Sequence, residues 1–572
     1  MFALTKITPE SCPLEASQKS FSEGSDETRA AIYTQQAVVE FILDLVGYKS
    51  TDKLYQFSLL EPSFGHGQFF LEALQRLIVS CQNHGIAINE QTVGKALRGV
   101  ELHAESYELV LKTVSQKLID NDVDPKTAKK LAQIWLHQGD FLLSNPAIEF
   151  SHVVGNPPYL RHDSVPVLLM EQYRALFSTI YDRADLYIPF FEHSLKLLQP
   201  NGKLGFICAD RWMKNRYGAK LRKFVSDNYH LETYIDMVDT PAFHSDVIAY
   251  PAITVISKSQ GETTRVAKRP EINRQALTKL AKNLNKSQSG KSNKTVQSIS
   301  KVALGVEPWI LDKFDALKLI RLLEKTLPKI EETGCKIGIG VATGADKAFI
   351  GEFEAMDVEP DRKLPLATTK DIASGVVNWR GMGVINPFEA DGSLVDLDEY
   401  PRLKKYLNDR YDAISGRHIA KKNPDRWYKT IDKINADLVA QQKLLIPDIK
   451  GDALIARETG KLYPHHNLYY ITSNEWDIGA LQVVLKSGIA RLFVSLYSTQ
   501  MRGGYLRFQA QYLRRIRLPL WESIPQPLKK RLIKAGETPN DYENQALVQE
   551  LYKLSDSEMS LVAPNLQVSH AA

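Results

Sequence analysis

The chain has 572 residues, of which 44% are hydrophobic, 9% aromatic and 24% charged. This length predicts two to four domains, and the composition is that of a globular protein rather than a collagen-like, disordered or disulfide-rich chain. The net charge of +5 is too small to indicate a partner on its own. The four cysteines are far apart in sequence, so they predict neither a disulfide framework nor a zinc cluster, and we expect no metal site.

The apolar segments bear on localisation. The first twenty residues lack a long apolar core behind a basic start, so they do not resemble a secretory signal. The most apolar long window, Ile478 to Tyr497, is interrupted by Lys486 and Arg491, which argues against a membrane span. Because scattered cysteines are typical of a reducing compartment, we expect a cytoplasmic protein with no membrane partner. We also expect a monomer.

The chain begins with about 30 polar residues, for which we expect a flexible arm. Apolar residues then predict a helix over 34–46 with one buried face, and Thr34 is a candidate N-cap. The apolar run 57–60 predicts a strand, which is followed by the turn Gly65-His66-Gly67 and a helix over 68–80. This order is strand, glycine-rich turn and helix.

The alternation of strands and helices continues to about residue 260. Further strands are predicted over 97–101, 152–155, 203–208 and 250–256, and further helices over 104–119, 125–137, 185–199 and 217–228. Strands that alternate with helices imply a parallel sheet with crossover helices. The sequence therefore predicts an α/β domain over residues 31–260, after the arm 1–30.

A basic segment follows this domain. Between Lys258 and Lys301 there are eleven Lys or Arg and two acidic residues. A solvated Lys-rich linker and a polyanion-binding insertion both fit this composition, and we assign residues 261–305 to a basic linker or insertion. Beyond it, residues 306–572 have glycines, aromatic residues and short apolar runs, which predict a second, α+β domain.

A second basic stretch lies in that C-terminal half. Residues 501–521 contain five arginines and no acidic residue, and Tyr505, Phe508 and Tyr512 are interleaved with them. Arg502, Tyr505 and Arg507 also lie next to two glycines, so guanidinium and backbone groups can approach a polyanion together. We expect the arginines to neutralise phosphates rather than to pair with bases.

Two acidic residues follow predicted elements of the first domain. Glu101 ends the strand 97–101, where a carboxylate can accept hydrogen bonds from the ribose of an adenosine-bearing cofactor. Asp140 lies in the loop Gly139-Asp140-Phe141 and can accept from an adenine amino group. Each feature alone also fits a surface acid, as the Gly65–Gly67 turn alone fits an ordinary tight turn. Their order along the chain favours a cofactor site.

The segment Asn156-Pro157-Pro158-Tyr159 follows an apolar strand. Its two prolines fix φ and lack backbone donors, so the Pro157 carbonyl is held out of regular pairing. The Asn156 side chain adds a second carbonyl beside it. Two convergent acceptors suit an NH2 group on a conjugated ring, for which Tyr159 offers a flat face. A rigid loop with a core tyrosine is the alternative.

Five motifs in this order resemble the gamma-class DNA adenine-N6 methyltransferases, typified by the TaqI methylase. They are YTxxxVVxFI (33–42), EPxxGxGxF (61–69), GVEL (99–102), GDF (139–141) and NPPY (156–159). The resemblance covers about 30–260, and it extends more weakly over 337–520 to that family's C-terminal specificity domain. It implies a Rossmann-like class I S-adenosylmethionine-dependent methyltransferase domain followed by an α+β target-recognition domain.

The resemblance also implies roles for individual residues. The expected cofactor-binding residues are Thr34, Glu61, Gly65 and Gly67 for the methionine end, Glu101 for the ribose, and Asp140 and Phe190 for the adenine. The expected catalytic residues are Asn156, Pro157, Pro158 and Tyr159, with Phe243 as the second aromatic residue around a flipped adenine. Gln35 stands where the family often has proline, and Phe64 where it usually has a small residue.

The implied function is site-specific transfer of a methyl group from S-adenosylmethionine to adenine N6 in double-stranded DNA, as in a restriction-modification system. Arg502, Tyr505 and Arg507 would then contact DNA, and a cognate endonuclease would be a separate chain. Three alternatives share the same motifs or domains: methylation of an RNA base, methylation of a protein glutamine amide, and a non-catalytic DNA-specificity subunit.

Overall fold

The structure, a computed structural model, describes residues 21–22, 33–243, 251–285, 295–311, 314–450, 454–498, 506–537 and 541–563. The chain divides into two compact units, Met1–Phe314 and Asp315–Ala572. The division lies close to residue 306, where the sequence predicts that the second domain begins.

In the described part of the first unit, nine strands form one sheet in the order β3-β2-β1-β4-β5-β7-β6-β8-β9. The strands are β1 Leu59–Glu61, β2 Leu97–Glu101, β3 Leu136–Gln138, β4 Phe150–Gly155, β5 Leu198–Ala209, β6 His230–Asp236, β7 Pro251–Ser257, β8 Thr263–Lys268 and β9 Gln297–Ser300. Strands β3, β2, β1, β4 and β5 are parallel, whereas β7 is antiparallel to both β5 and β6. The predicted α/β fold is confirmed, but the sheet is mixed rather than purely parallel.

Helices cover both faces of this sheet. They span Gln36–Val46, Gln68–His84, Glu90–Val93, Ala104–Ile119, Pro125–Trp135, Val167–Leu176, Tyr187–Lys196, Arg211–Lys214, Ala219–Asn228 and Arg274–Asn285. Successive strand residues point to opposite faces. Leu59 and Val154 belong to one hydrophobic cluster, and their neighbours Leu60 and Val153 belong to another. The sheet is therefore buried between two helical layers.

The predicted linker is part of the sheet. Strand β8 pairs parallel with β6, and β9 pairs antiparallel with β8. Between them the helix Arg274–Asn285 buries Leu277, Leu280, Ala281 and Leu284, and Arg274 forms an ion pair with Glu40. The apolar residues recur at helical spacing, which a count of lysines conceals. Of the two alternatives for 261–305, the linker is therefore wrong for the described residues, which belong to the first unit; 286–294 lie outside them.

The second unit has the predicted α+β character. Its strands are β10 Cys335–Ile339, β11 Ile350–Glu352, β12 Lys363–Ala367, β13 Met382–Ile385, β14 Lys443–Pro447, β15 Ile449–Lys450, β16 Ala456–Glu458, β17 Tyr463–Pro464, β18 Leu468–Ser473 and β19 Leu506–Arg507. They form sheets in the orders β10-β18-β14-β16, β11-β13-β12-β17 and β15-β19.

The helices of the second unit are mostly short. They span Phe314–Thr326 (which begins at the division between the units), Asp346–Phe349, Pro401–Asn408, Tyr411–Ser415, His418–Lys422, Asp437–Ala440, Ile478–Val484, Ala490–Tyr497, Ala510–Leu513, Gln526–Glu537, Asp541–Tyr552 and Asp556–Val562. Among the described residues, one continuous stretch, Ile478–Tyr497, is long and apolar enough to cross a membrane, and 72% of its apolar window is buried inside the protein. Burial of this extent is typical of a core helix.

Candidate active site

The predicted cofactor residues lie at one edge of the first sheet. Glu61 ends β1, Glu101 ends β2, Asp140 follows β3, and Asn156 follows β4. These four strands are adjacent and parallel, so their carboxyl ends meet at the same edge. In open α/β sheets this edge is where ligands bind.

A cavity of about 290 Å³ opens at this edge. Glu101, Asp140, Pro158 and Phe190 line it, all of which the sequence analysis named. The Phe190 ring packs at 5.3 Å from the ring of Phe141, and both rings line the cavity, so an apolar aromatic surface forms part of its wall. The cavity therefore combines acceptors for hydroxyl and amino groups with a surface for a purine.

Glu101 is held by the backbone. Its two oxygens accept hydrogen bonds from the N–H of Gly65 at 2.7 Å and of His103 at 3.0 Å. Gly65 has φ +51, a conformation that favours glycine, and this turns its N–H toward the carboxylate. Because each carboxylate oxygen has two lone pairs, Glu101 can still accept two hydrogen bonds from a ligand in the cavity.

Asp140 is positioned by a residue that the sequence analysis missed. The Tyr173 hydroxyl donates to Asp140 Oδ2 at 2.6 Å, and the N–H of Leu142 donates to Oδ1 at 2.9 Å. Burial raises the pKa of Asp140, and these hydrogen bonds oppose the shift. Tyr173 lies on a helix after the NPPY loop, and no motif marks it.

Glu61 is almost fully buried, with 2% exposure. Its Oε2 atom has no hydrogen-bond partner among the described residues. Burial raises the pKa of Glu61 well above its usual value, the N–H of Phe70 lowers it, and the charge of Glu101 raises it further. A buried carboxylate without a partner is costly, so this atom is suited to a cationic ligand group.

Glycines in and near the turn after β1 allow close packing around it. Gly67 has φ +84 and precedes the helix Gln68–His84 directly, and a Cβ atom there would lie 3.0 Å from the side chain of Val110. Phe64, the departure from the family pattern, is buried in the core at 6.3 Å from Phe70 and does not line the cavity. Gly99 makes room for it, since a Cβ there would meet Phe64 at 2.9 Å.

Thr34 links the NPPY segment (156–159) to the start of the helix Gln36–Val46. It is not an N-cap, because the helix begins at Gln36 and its capping position is Gln35. Instead Thr34 forms an isolated antiparallel bridge with Phe243, and its Oγ1 accepts from Asn156 Nδ2 at 3.3 Å. That hydrogen bond orients the Asn156 amide: its NH2 group faces Thr34, and its carbonyl oxygen therefore points to the opposite side.

Phe243 lies beside Tyr159, as the sequence analysis expects. The two ring centroids are 6.4 Å apart, and the ring planes are nearly perpendicular at 85°. The Tyr159 hydroxyl donates to the carbonyl of Ile207 at 3.4 Å, which fixes the ring. The rings therefore form an aromatic corner, with one face and one edge available for a flat ligand.

The predicted DNA-binding residues are only partly described. Arg502 and Tyr505 lie outside the described residues. Arg507 lies in β19, where its guanidinium forms an ion pair with Asp448, and this hydrogen bond raises the pKa of Arg507. A DNA contact by Arg507 stays a prediction, and it would compete with Asp448.

The predicted flexible arm has two described residues. Phe21 lines the cavity, and the carbonyl of Ser22 accepts a hydrogen bond from His103 Nδ1 at 2.7 Å. The sequence analysis assigned no role to this segment, because its polar composition gives no periodic signal.

Comparison with known proteins identifies the family. The family model described as Eco57I restriction-modification methylase matches residues 82–243. The chain is 53% identical over 558 residues to type II methyltransferase M.PaeR7I of Pseudomonas aeruginosa, which covers 97% of each chain. The chain belongs to the type II DNA methyltransferases of restriction-modification systems. It is also 51% identical to type II methyltransferase M.XhoI of Xanthomonas vasicola, covering 94% of this chain and 99% of the relative.

A solved structure supports the same fold. The type IIL restriction-modification enzyme MmeI, solved in complex with DNA, matches with a TM-score of 0.58 and 12% identity. The match covers 94% of this chain and 75% of that chain. At this identity the likeness concerns the fold alone, and the class I S-adenosylmethionine-dependent methyltransferase fold is confirmed.

Proposed function

We propose that this methyltransferase transfers a methyl group from S-adenosylmethionine to N6 of an adenine that is turned out of double-stranded DNA. The observation that carries the proposal is the position and hydrogen bonding of Asn156. It follows β4 directly, its amide nitrogen donates to Thr34, and the aromatic corner of Tyr159 and Phe243 lies in the same segment of the site. An NH2 group on a flat ring fits that combination of acceptors and aromatic surface.

The predicted cofactor residues at this edge of the sheet fit S-adenosylmethionine group by group. Glu101, Asp140 and Phe190 line the cavity, whereas Glu61, Thr34, Gly65 and Gly67 are not among its lining residues. Glu61 would pair with the ammonium group, Glu101 would accept from the ribose hydroxyls, and Asp140 would accept from the adenine amino group. Phe190 would pack on the purine, and Thr34, Gly65 and Gly67 would lie against the methionine end. When bound, this cofactor supplies a methyl group activated by a positively charged sulfur. The buried Oε2 of Glu61, which lacks a described partner, supports the assignment.

The NPPY segment activates the target nitrogen. In adenine the N6 lone pair is delocalised into the ring, which makes it a poor nucleophile. Asn156 Oδ1 and the Pro157 carbonyl would accept the two N6 hydrogens, which localises the lone pair and fixes its direction. Positioned dipoles of this kind act most strongly where charge develops in the transition state. Pro157 and Pro158 keep the acceptors in place, because neither can donate to a neighbouring strand.

The aromatic corner supports base extrusion. Turning a base out of the duplex costs a few kcal/mol, which stacking in the pocket offsets. Tyr159 is held by its hydroxyl and can stack on the base with one face. Phe243 is only 8% exposed and would cover the opposite side after a change of ring orientation.

We further propose that the second unit recognises the DNA sequence and that a separate endonuclease cleaves the same sequence. Arg502, Tyr505 and Arg507 remain proposed DNA contacts within this unit. The fold neighbour MmeI, whose match covers 94% of this chain, was solved in complex with DNA, which supports DNA as the substrate.

A methyl-transfer assay tests the proposal. The purified protein is incubated with tritiated S-adenosylmethionine and, separately, duplex DNA, RNA and glutamine-containing peptide, and the modified nucleosides are identified by mass spectrometry. We expect label in N6-methyladenine from duplex DNA, and none with the Asn156→Ala variant. Label in RNA or peptide, in another DNA base, or no transfer at all would contradict the proposal.

A further inference from the structure

We propose that residues 417–433 of the second unit, hereafter the basic platform, bind the phosphate backbone of DNA. The inference rests on the proposed function and adds the surface by which this unit holds its substrate. The basic platform contains six Lys or Arg and two acidic residues within 17 positions. A local excess of positive charge attracts a polyanion, and phosphate contacts contribute much of the affinity in DNA binding.

The basic platform is built on consecutive tight turns. The helix His418–Lys422 is followed by the 3₁₀ helix Pro424–Arg426. Trp427 then packs edge-on against Tyr411 with ring centroids 4.7 Å apart, and the Tyr428 hydroxyl donates to a backbone carbonyl at 2.7 Å. The cationic side chains are thus carried by an anchored backbone, so that ordering the platform adds little to the cost of binding.

Three cations of the basic platform have no acidic partner within the described part of the chain. Lys421, Lys422 and Arg426 are exposed, and none of them forms an ion pair with a described residue. An earlier helix of this unit, Pro401–Asn408, is different, because each of its cations is paired: Arg402 with Asp357, Lys404 with Asp398 and Lys405 with Asp409. Unpaired cations keep their full attraction for phosphate, whereas paired ones must first give up a partner.

A glycine turn lies against the basic platform. Arg417 donates from Nη1 to the carbonyl of Thr343 at 2.6 Å, and Asp432 Oδ2 accepts from the N–H of Ala342 at 2.9 Å. Gly344, the next residue along the chain, is exposed with φ +76, and a Cβ there would meet the side chain of Ile431 at 2.9 Å. The glycine therefore allows this turn to pack closely against the basic platform, which helps to fix the backbone that carries the cations.

Matched charge variants test the inference. The test variant carries Lys421→Gln, Lys422→Gln and Arg426→Gln, and the control carries Arg402→Gln, Lys404→Gln and Lys405→Gln. Both remove three positive charges, but only the first removes unpaired ones. DNA affinity is measured at several salt concentrations with a duplex that contains a methylated site mapped by sequencing, and with an unrelated duplex. Melting temperature and cofactor affinity are measured alongside, and both should match the wild type.

We expect DNA binding by the test variant to depend less on salt concentration than DNA binding by the wild type. If each cation contacts one phosphate, the slope of log K against log salt becomes shallower by about 0.9 per contact, or about 2.7 for three. Between about 50 and 200 mM salt the wild type should then lose about 40-fold more affinity than the test variant. The control should keep the wild-type slope. Because phosphates carry no sequence information, both duplexes should lose affinity equally.

Three outcomes would overturn the inference: a wild-type slope in the test variant, an equal change in the control, or a loss confined to the site-containing duplex, which would indicate base contacts. If the triple variant does not fold, the single Lys421→Gln variant is used, and its slope should be shallower by about 0.9. Failure of the proposed function looks different, because the wild type would then form no N6-methyladenine in duplex DNA, whereas failure of this inference leaves that methylation intact and changes only the salt dependence of the variants.

Discussion

Glu61 makes cofactor binding depend on pH in a way that can be predicted. It is a buried carboxyl whose pKa lies well above its usual value, mainly because of burial. In the free protein it is therefore protonated over a wider pH range than an exposed glutamate. An ammonium group beside Oε2 would favour the charged form and lower this pKa again. Binding of S-adenosylmethionine should release a proton wherever the free protein still holds one.

The size of the effect on cofactor affinity follows from the same buried carboxyl. Between the pKa of Glu61 in the complex and its raised pKa in the free protein, the cofactor dissociation constant should fall up to tenfold for each unit of rising pH, and above the raised pKa it should level off. Glu61→Gln removes the charge and keeps the shape. A hydrogen bond to a charged group contributes about 1.5–3 kcal/mol, so this variant should bind the cofactor roughly 10- to 150-fold more weakly.

Stability should change in the opposite direction. A carboxyl whose pKa is raised in the folded state holds a proton that the unfolded chain releases, so stability falls as pH rises from the ordinary toward the raised pKa. Glu61→Gln lacks this group. In the absence of cofactor, the melting temperature of the wild type should decline relative to that of the variant as pH rises through this window.

Calorimetry checks the proton release. Titrating S-adenosylmethionine into the protein in buffers of different ionisation enthalpy gives the number of protons released from the slope of the observed enthalpy. The wild type should release a fraction of a proton that decreases as pH rises, and Glu61→Gln should release none from this site. Equal proton release or equal affinity in the two proteins would refute the role of Glu61 as the ammonium partner.

Three further changes test other parts of the site. Glu101→Ala should weaken cofactor binding by about 1.5–3 kcal/mol in calorimetry while changing the maximal rate less, and unchanged affinity would contradict the ribose role. Phe243→Ala should reduce 2-aminopurine fluorescence at the target position if Phe243 stabilises the extruded base; an undiminished signal would exclude that role. Gly67→Ala should lower the free energy of unfolding by about 1–2 kcal/mol for its positive φ, plus the cost of crowding Val110. Gly85 also has a positive φ (+66), but a Cβ there would meet nothing within 4 Å, so Gly85→Ala measures the cost of the backbone conformation alone. Equal losses of unfolding free energy in the two variants would show that Gly67→Ala does not crowd Val110.

The active-site edge could be predicted from the sequence because its parts are local. Each motif combines a strand end with the polar residue that follows it, and in a parallel sheet the ends of adjacent strands come together. This rule alone predicts that Glu101, Asp140 and Asn156 lie at the same edge of the sheet. Tyr173 could not be found in this way, since its hydrogen bond to Asp140 depends on how a later helix folds back over the cavity.

The sheet beyond β5 was harder to predict because composition and structure disagree there. Strand β6 follows the helix Ala219–Asn228 with only Tyr229 between them, so no turn signal separates the two elements. Strands β8 and β9 lie near many lysines, and the sequence analysis treated them as a linker. Their role becomes visible only through pairing: β8 pairs with β6, about 30 positions away in sequence, and β9 pairs with β8.

Charge patterns show most clearly what sequence alone does not reveal, namely which residues are neighbours in the fold. The stretch 501–521 has no acidic residue, yet Arg507 is paired, because Asp448 lies 59 positions earlier in sequence and next to it in the fold. The basic platform has two acidic residues of its own, yet Lys421 and Lys422 have no ion-pair partner among the described residues. A count of charges along a chain measures how much positive charge is present. Only the fold determines which of those charges are already compensated, and it is the uncompensated ones that are free to hold a phosphate.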